Sequence, residues 1–220
     1  MSDLASIFAN LVRHHVATPG CPLPEASNGI TWIWAANGIY KRGVSETLDL
    51  LIPVGISWPA PGLASLLPHV SWKRWPERLP GAFLAPLLED AKRAAVGDTV
   101  LRPIEKQYFF VWRDGVRVVA PKGQDASAVH LRYRMPQSGP VLLDLHSHHG
   151  MDAYFSATDD RDDSGLSVSA VIGKIYTRPT IVTRINVFGQ RHLVPALMIF
   201  DSLGSFTDGY QGGNNARADD

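Results

Sequence analysis

Apolar residues recur along this chain in two periods, one helical and one strand-like. Over residues 3–17, Leu4, Ile7, Phe8 and Leu11 fall at helical spacing, with Ser2 or Asp3 placed to cap, so a helix is predicted there. Residues 31–35 and 47–54 are rich in branched and aromatic side chains and read as strands. A second amphipathic helix is predicted over 83–95, with Gly97 to end it. From there the period shortens to two. Residues 107–112 and 116–120 form a hairpin signal around Arg113-Asp114-Gly115. Further strands are predicted over 129–134, 141–148, 167–176, 180–187 and 192–200, the last two joined at Phe188-Gly189-Gln190. The run 141–148 is mostly apolar and is expected at the centre of a sheet. The order is α+β, with a mainly antiparallel or mixed sheet and no internal repeat.

Between residues 57 and 80 the chain is dense in Trp and Pro, including Trp58, Trp72, Trp75, Pro59, Pro61, Pro68, Pro76 and Pro80. Such a segment either packs a small irregular subdomain or presents a docking surface, and packing is the expectation. This gives three provisional units: a Trp/Pro-rich α+β extension over 1–80, a main domain over 81–208, and a Gly/Asn/Asp-rich tail over 209–220 expected to be disordered.

Composition narrows the function. Lys+Arg and Asp+Glu are both 21, so the charge balance points neither to nucleic acid nor to an anionic membrane. The single cysteine, Cys21, excludes an internal disulfide and a thiolate-rich metal site, and fits a reducing cytoplasm. No signal peptide and no membrane span are read from the sequence.

The chemistry concentrates in His146-Ser147-His148 and the residues that follow. On a strand His146 and His148 point to the same face and can converge on one ion. Asp159 lies far enough beyond for the chain to turn through Gly150 and bring a carboxylate back, and Ser156 either caps a short helix or faces a reacting carbonyl. Two imidazoles and one carboxylate, with a fourth position left to water, make a catalytic rather than a structural zinc site. A His-x-His pair alone is a weak signal, because such pairs are often solvent-facing or packed. The carboxylates Asp159, Asp160, Asp162 and Asp163 lack the glycine and terminal glutamate of an EF-hand loop and are expected to be solvated at a helix N-terminus. His14, His15, His69, His130 and His192 show no partner pattern.

The whole pattern, His-Ser-His, seven residues, Ser, two residues, Asp, resembles the signature of the JAB/MPN (JAMM) metalloprotease family. That resemblance implies a cytidine-deaminase-like mixed sheet flanked by helices. It also implies Zn2+ held by His146, His148 and Asp159, and Ser156 assisting the oxyanion. The family uses an upstream glutamate as proton acceptor. Glu105, 41 residues before His146, stands where the resemblance places it. Glu89 is the rival, and an ordinary strand-end glutamate is the plain alternative. The chain departs from the family pattern twice. His149 stands where proline is usual and is read as pointing away from the metal, and no glycine-rich stretch follows Glu105. The N-terminal region with Asn37-Gly38-Ile39-Tyr40-Lys41-Arg42 resembles the A proteins of PRTRC systems, bacterial cassettes named for their ParB-related and ThiF-related members. The implied function is a zinc isopeptidase or peptidase acting on a ubiquitin-like tail. Ubiquitin-like, E1-like (ThiF) and E2-like partners would come from the same cassette. A non-catalytic JAB-like scaffold and a zinc amidohydrolase with a non-peptide substrate are the alternatives.

Overall fold

The computed structural model describes residues 12–55, 60–75, 77–96, 102–121, 125–126, 131–132 and 139–212. Strand-forming runs in the first third build a five-stranded sheet in sequence order: β1 (Arg13–Val16), β2 (Gly29–Ala35), β3 (Gly38–Val44), β4 (Leu48–Pro53) and β5 (His69–Trp72). β1 runs parallel to β2, and the other neighbours are antiparallel. Most of the helix expected over 3–17 lies outside the described residues. Its described end is strand instead, because Arg13–Val16 pairs residue by residue with Thr31–Trp34. β4 is buried on both faces, which explains its nearly continuous apolar sequence. Leu48, Leu50 and Ile52 enter the main core, while Leu51 joins Ile33, Ala35, Tyr40 and Leu66 in a smaller one. Asp49 stays within this strand because Arg42 on β3 grips it with two hydrogen bonds of 2.8 and 2.6 Å.

Two short pairings follow, β6 (Ala95–Val96) with β7 (Arg102–Pro103), and β10 (Asp125–Ala126) with β11 (Leu131–Arg132). The last is the described part of the strand expected over 129–134. The main sheet contains β8 (Gln107–Trp112), β9 (Val116–Val119), β12 (Val141–Ser147), β13 (Leu166–Gly173), β14 (Thr180–Val187), β15 (Gln190–Val194) and β16 (Thr207–Asp208). Its order is β15-β14-β13-β12-β8-β9, with β16 also on β14. The sheet is mixed as expected: β12–β13 and β14–β16 are parallel and the rest antiparallel. β12 is central.

The helix predicted over 83–95 is α1 (Leu84–Lys92), preceded by a 3-10 turn at Gly81–Phe83. It buries Leu84, Leu87, Leu88 and Ala91 along one stripe, each leucine contributing about 1.5–3 kcal/mol. Gly97, expected to end it, lies outside the described residues, and the helix stops at Arg93. α2 (Ala157–Asp162) lies in the β12–β13 crossover, and α3 (Ala196–Ile199) follows β15. The strand expected over 192–200 therefore ends at Val194. Pro195 has no N–H for the ladder, and Asp208 Oδ2 accepts a bond from the Ala196 N–H that starts the helical turn, at 2.8 Å.

The two sheets share one core. Leu48, Leu50, Ile52 and Trp72 pack with Leu143, Leu145, Val168, Ile185 and the α1 leucines. Trp72 is 2 % exposed, and its indole N–H donates to Leu142 O at 2.8 Å. Trp75 is tilted against Trp112 at 5.5 Å. Both tryptophans therefore pack inward. Trp58, Pro59 and Pro76 lie outside the described residues. At the boundary placed near residue 80 the packing is continuous: Leu79 N–H donates to Ile199 O, and Leu79 is fully buried. The tail expected to be disordered from 209 is tied down at its start, where Gly209 N–H bonds Ile181 O and Tyr210 N–H bonds Asp208 Oδ1.

Candidate metal centre

β12 separates core from chemistry by simple alternation. Leu143 and Leu145 face the core, so Asp144 and His146 face the opposite side of the sheet. His148 lies just past the strand end and is kept in register by its N–H, which donates to Ile172 O at 2.7 Å. The two imidazoles meet at Nε2, 3.1 Å apart. The chain then folds back across β13. At Gly173 a Cβ would stand 2.3 Å from Ala153 N, so only glycine lets the 151–153 segment cross there. Ser156 caps α2 and closes a capping box: Asp159 N–H donates to Ser156 Oγ at 3.2 Å, and Ser156 N–H donates to Asp159 Oδ2 at 2.6 Å. That fixes one carboxylate oxygen and leaves Oδ1 3.5 Å from His146 Nε2.

Among the described residues, His146, His148 and Asp159 form the one cluster of three donors able to hold a metal ion, with all ligand atoms within 4.8 Å of one another. The separations of 3.1 and 3.5 Å bracket the edge of a tetrahedral zinc site, about 3.3 Å for metal–ligand bonds near 2 Å. Burial, opposed by the charge of Asp159, holds both imidazoles below the ordinary histidine pKa, so they are neutral and present lone pairs. Donor type and the two closest separations fit a divalent cation of the zinc class.

Glu105 arrives by register. β8 and β12 are antiparallel with Gln107 opposite His146. Two more steps along that ladder bring Glu105 opposite His148, and Glu105 Oε1 lies 3.7 Å from His148 Nε2. Ser147 locks the step between them: its N–H donates to Lys106 O and its Oγ accepts from Lys106 N–H, both at 3.0 Å. Burial first, and the Asp159 carboxylate second, push the Glu105 pKa up to about 7. Such a group can both take and return a proton near neutrality. Glu89 is exposed on α1 and paired with Lys92 at 2.8 Å, away from the cluster.

His149 is outside the converging set, but it is buried rather than on an exposed strand edge. Its φ of 35° is left-handed, and its Nδ1 accepts from the Gly150 N–H. Proline cannot adopt that φ, so His149 in place of the usual proline and the local turn belong together. Asp160 and Asp163 are not freely solvated. Arg184 on β14, 4 % exposed, bonds Asp160 Oδ1 and reaches Asp163 Oδ2 at 2.7 Å. Arg184 and Tyr154, whose ring meets that of His148 edge-on at 4.6 Å, carry no motif and were not singled out in the sequence.

A mixed sheet carrying a His–His–Asp cluster at the end of its central strand defines a candidate metal centre. Residues 92–186 match the family model described as prokaryotic homologs of the JAB domain, a stretch holding Glu105, His146, His148, Ser156, Asp159 and Arg184. The match covers less than half of the chain and supports a JAB/MPN relationship for that stretch. No curated protein matches the chain. No helix among the described residues is long and apolar enough to cross a membrane.

Proposed function

We propose that the protein is a zinc-dependent peptidase or isopeptidase. The observation that carries this reading is Glu105, buried and 3.7 Å from His148 of the His146–His148–Asp159 donor cluster. When bound there, zinc would supply Lewis acidity toward a scissile carbonyl and acidify a water molecule. Glu105 takes the proton of that water at its carboxylate and returns it to the departing amine. Ser156 Oγ already accepts a bond from Asp159 N–H, and its own proton is the donor offered to the developing oxyanion. Neutral His146 and His148 orient the centre, and Tyr154 walls one side of it, 41 % exposed.

The substrate in this reading is the extended C-terminal tail of a ubiquitin-like protein, joined to a lysine or to a few further residues. E1-like (ThiF) and E2-like proteins of a PRTRC cassette are its working partners, in the bacterial cytoplasm. The test is cleavage of a ubiquitin-like fusion and an isopeptide conjugate by zinc-loaded, chelator-treated and E105Q protein. Cleavage confined to the zinc-loaded wild type supports the reading. Stoichiometric zinc with no cleavage of either substrate would overturn it and leave a JAB-like scaffold.

A further inference from the structure

α2 carries the ligand Asp159, yet it is six residues long and buries none of them. A helix of that length has no stability of its own, and here it has no apolar anchor either. What holds it is polar. The guanidinium of Arg184 bridges Asp160 Oδ1 and Asp163 Oδ2, and its Cζ stacks 3.8 Å over the Phe155 ring just ahead of the cap. Asp163 is held further by the hydroxyls of Ser169 at 2.9 Å and Ser167 at 3.3 Å, and Asn186 donates to both serines. Arg191 donates to the Asp160 backbone carbonyl.

The register shows where this clamp stands. His146 pairs with Val171, and Val171 with Val182; one row back, Asp144 pairs with Ser169, and Ser169 with Arg184. Arg184 therefore rises from the row directly behind the histidine row, on the same face of the sheet. Its two carboxylate partners both follow Asp159 in sequence, one residue after it and four after it, and the Asp163 N–H donates to Asp159 O at 3.0 Å. A buried guanidinium holding both fixes the height and the rotation of the helical turn that runs on from Asp159.

We infer that Arg184 is a positioning residue for the metal centre: by clamping Asp160 and Asp163 it sets Asp159 Oδ1 against His146 and His148. This rests on the metal-site reading above. A lysine at this position keeps the charge but has one ammonium in place of a planar fork and cannot hold both carboxylates in the same geometry.

The test is zinc affinity by competition with a chromogenic chelator, together with the visible spectrum of the Co2+-substituted protein, for wild type, R184Q and R184K. Thermal melting without metal serves as the fold control. The expected result is a zinc Kd weakened by about 10–100-fold in R184Q and an altered cobalt spectrum, with R184K falling between R184Q and wild type. R184K carries the test if R184Q does not melt cooperatively. Unchanged zinc affinity and an unchanged cobalt spectrum in either folded variant would overturn the inference and leave the metal site standing. Failure of the wild type to bind zinc at all would overturn both.

Discussion

Glu105 Oε1 stands 3.7 Å from His148 Nε2, just past the end of the β8–β12 ladder, where the hydrogen bonds between Ser147 and Lys106 continue its register. The carboxyl sits two residues ahead of β8, and the Ser147–Lys106 hydrogen bonds carry the register of the sheet out to it. In the proposed mechanism this separates the residues that hold the metal from the one that moves the proton. Glu105→Gln keeps shape and packing and removes the proton acceptor. Its kcat on a cleavable substrate should fall by about 10²–10⁴-fold while zinc content stays at the wild-type level. Retained activity would assign the proton transfer to another group.

Stability in metal-stripped protein should carry the same signature. The Glu105 pKa is raised from 4.5 to about 7 by burial and by Asp159, so the neutral acid is the form the fold favours. Its contribution is complete below about pH 4.5 and is lost as pH rises through 7, a loss on the order of 3 kcal/mol. Urea unfolding should therefore show Glu105→Gln gaining on the wild type at pH 8, with the gap closing as pH falls toward 4.5.

Asp159→Asn separates ligand from cap. The amide oxygen can still accept from Ser156 N–H, so α2 should persist, but the anionic ligand is gone. Elemental analysis should find zinc near zero in a protein whose melting is little changed. Near-stoichiometric zinc in this variant would remove Asp159 from the ligand set.

Ser156→Gly removes the hydroxyl and puts no other donor in its place. Glycine is tolerated at a helix N-cap, so the cost to the fold should be about a few tenths of a kcal/mol. The hydroxyl proton offered to the oxyanion is lost, and kcat should fall by about 10²–10³-fold with zinc affinity within a few-fold of wild type. An unchanged kcat would restrict Ser156 to capping.

Trp72→Ala should unfold the protein more readily, not simply weaken a partner. The ring is in the core and its N–H holds Leu142 O, so the expected loss is about 3–5 kcal/mol by urea denaturation. A loss below about 1 kcal/mol would return this tryptophan to a surface role.

The metal cluster was legible because its logic is local. Strand alternation aligns His146 with His148, and the Ser156–Asp159 spacing is that of a capping box. Glu105 was legible only by analogy, since its place depends on a pairing register that the sequence does not display. Arg184 was invisible for the same reason: its carboxylate partners are brought to it by the β13–β14 pairing and the crossover. In the N-terminal sheet, β3 escaped prediction because Lys41 and Arg42 interrupt its apolar pattern. Both are buried, Lys41 donating to Phe188 O at 2.8 Å and Arg42 bound to Asp49. Tertiary partners make those charges tolerable, and no local signal records them. β1 and β5 are four residues each, too short for a period to show.

The shared core sets how this molecule can be cut. A fragment trimmed to residues 92–186 would keep every metal-site residue but lose Leu48, Leu50, Ile52 and Trp72 from one wall of its interior, and the α1 leucines from another. The surface left bare would be an apolar flank of a twisted sheet, the kind that sticks to its own copies. The half that matches the JAB domain is therefore not a portable module. Grafting it elsewhere means carrying the N-terminal sheet along, and heating the intact chain should melt both halves in a single transition.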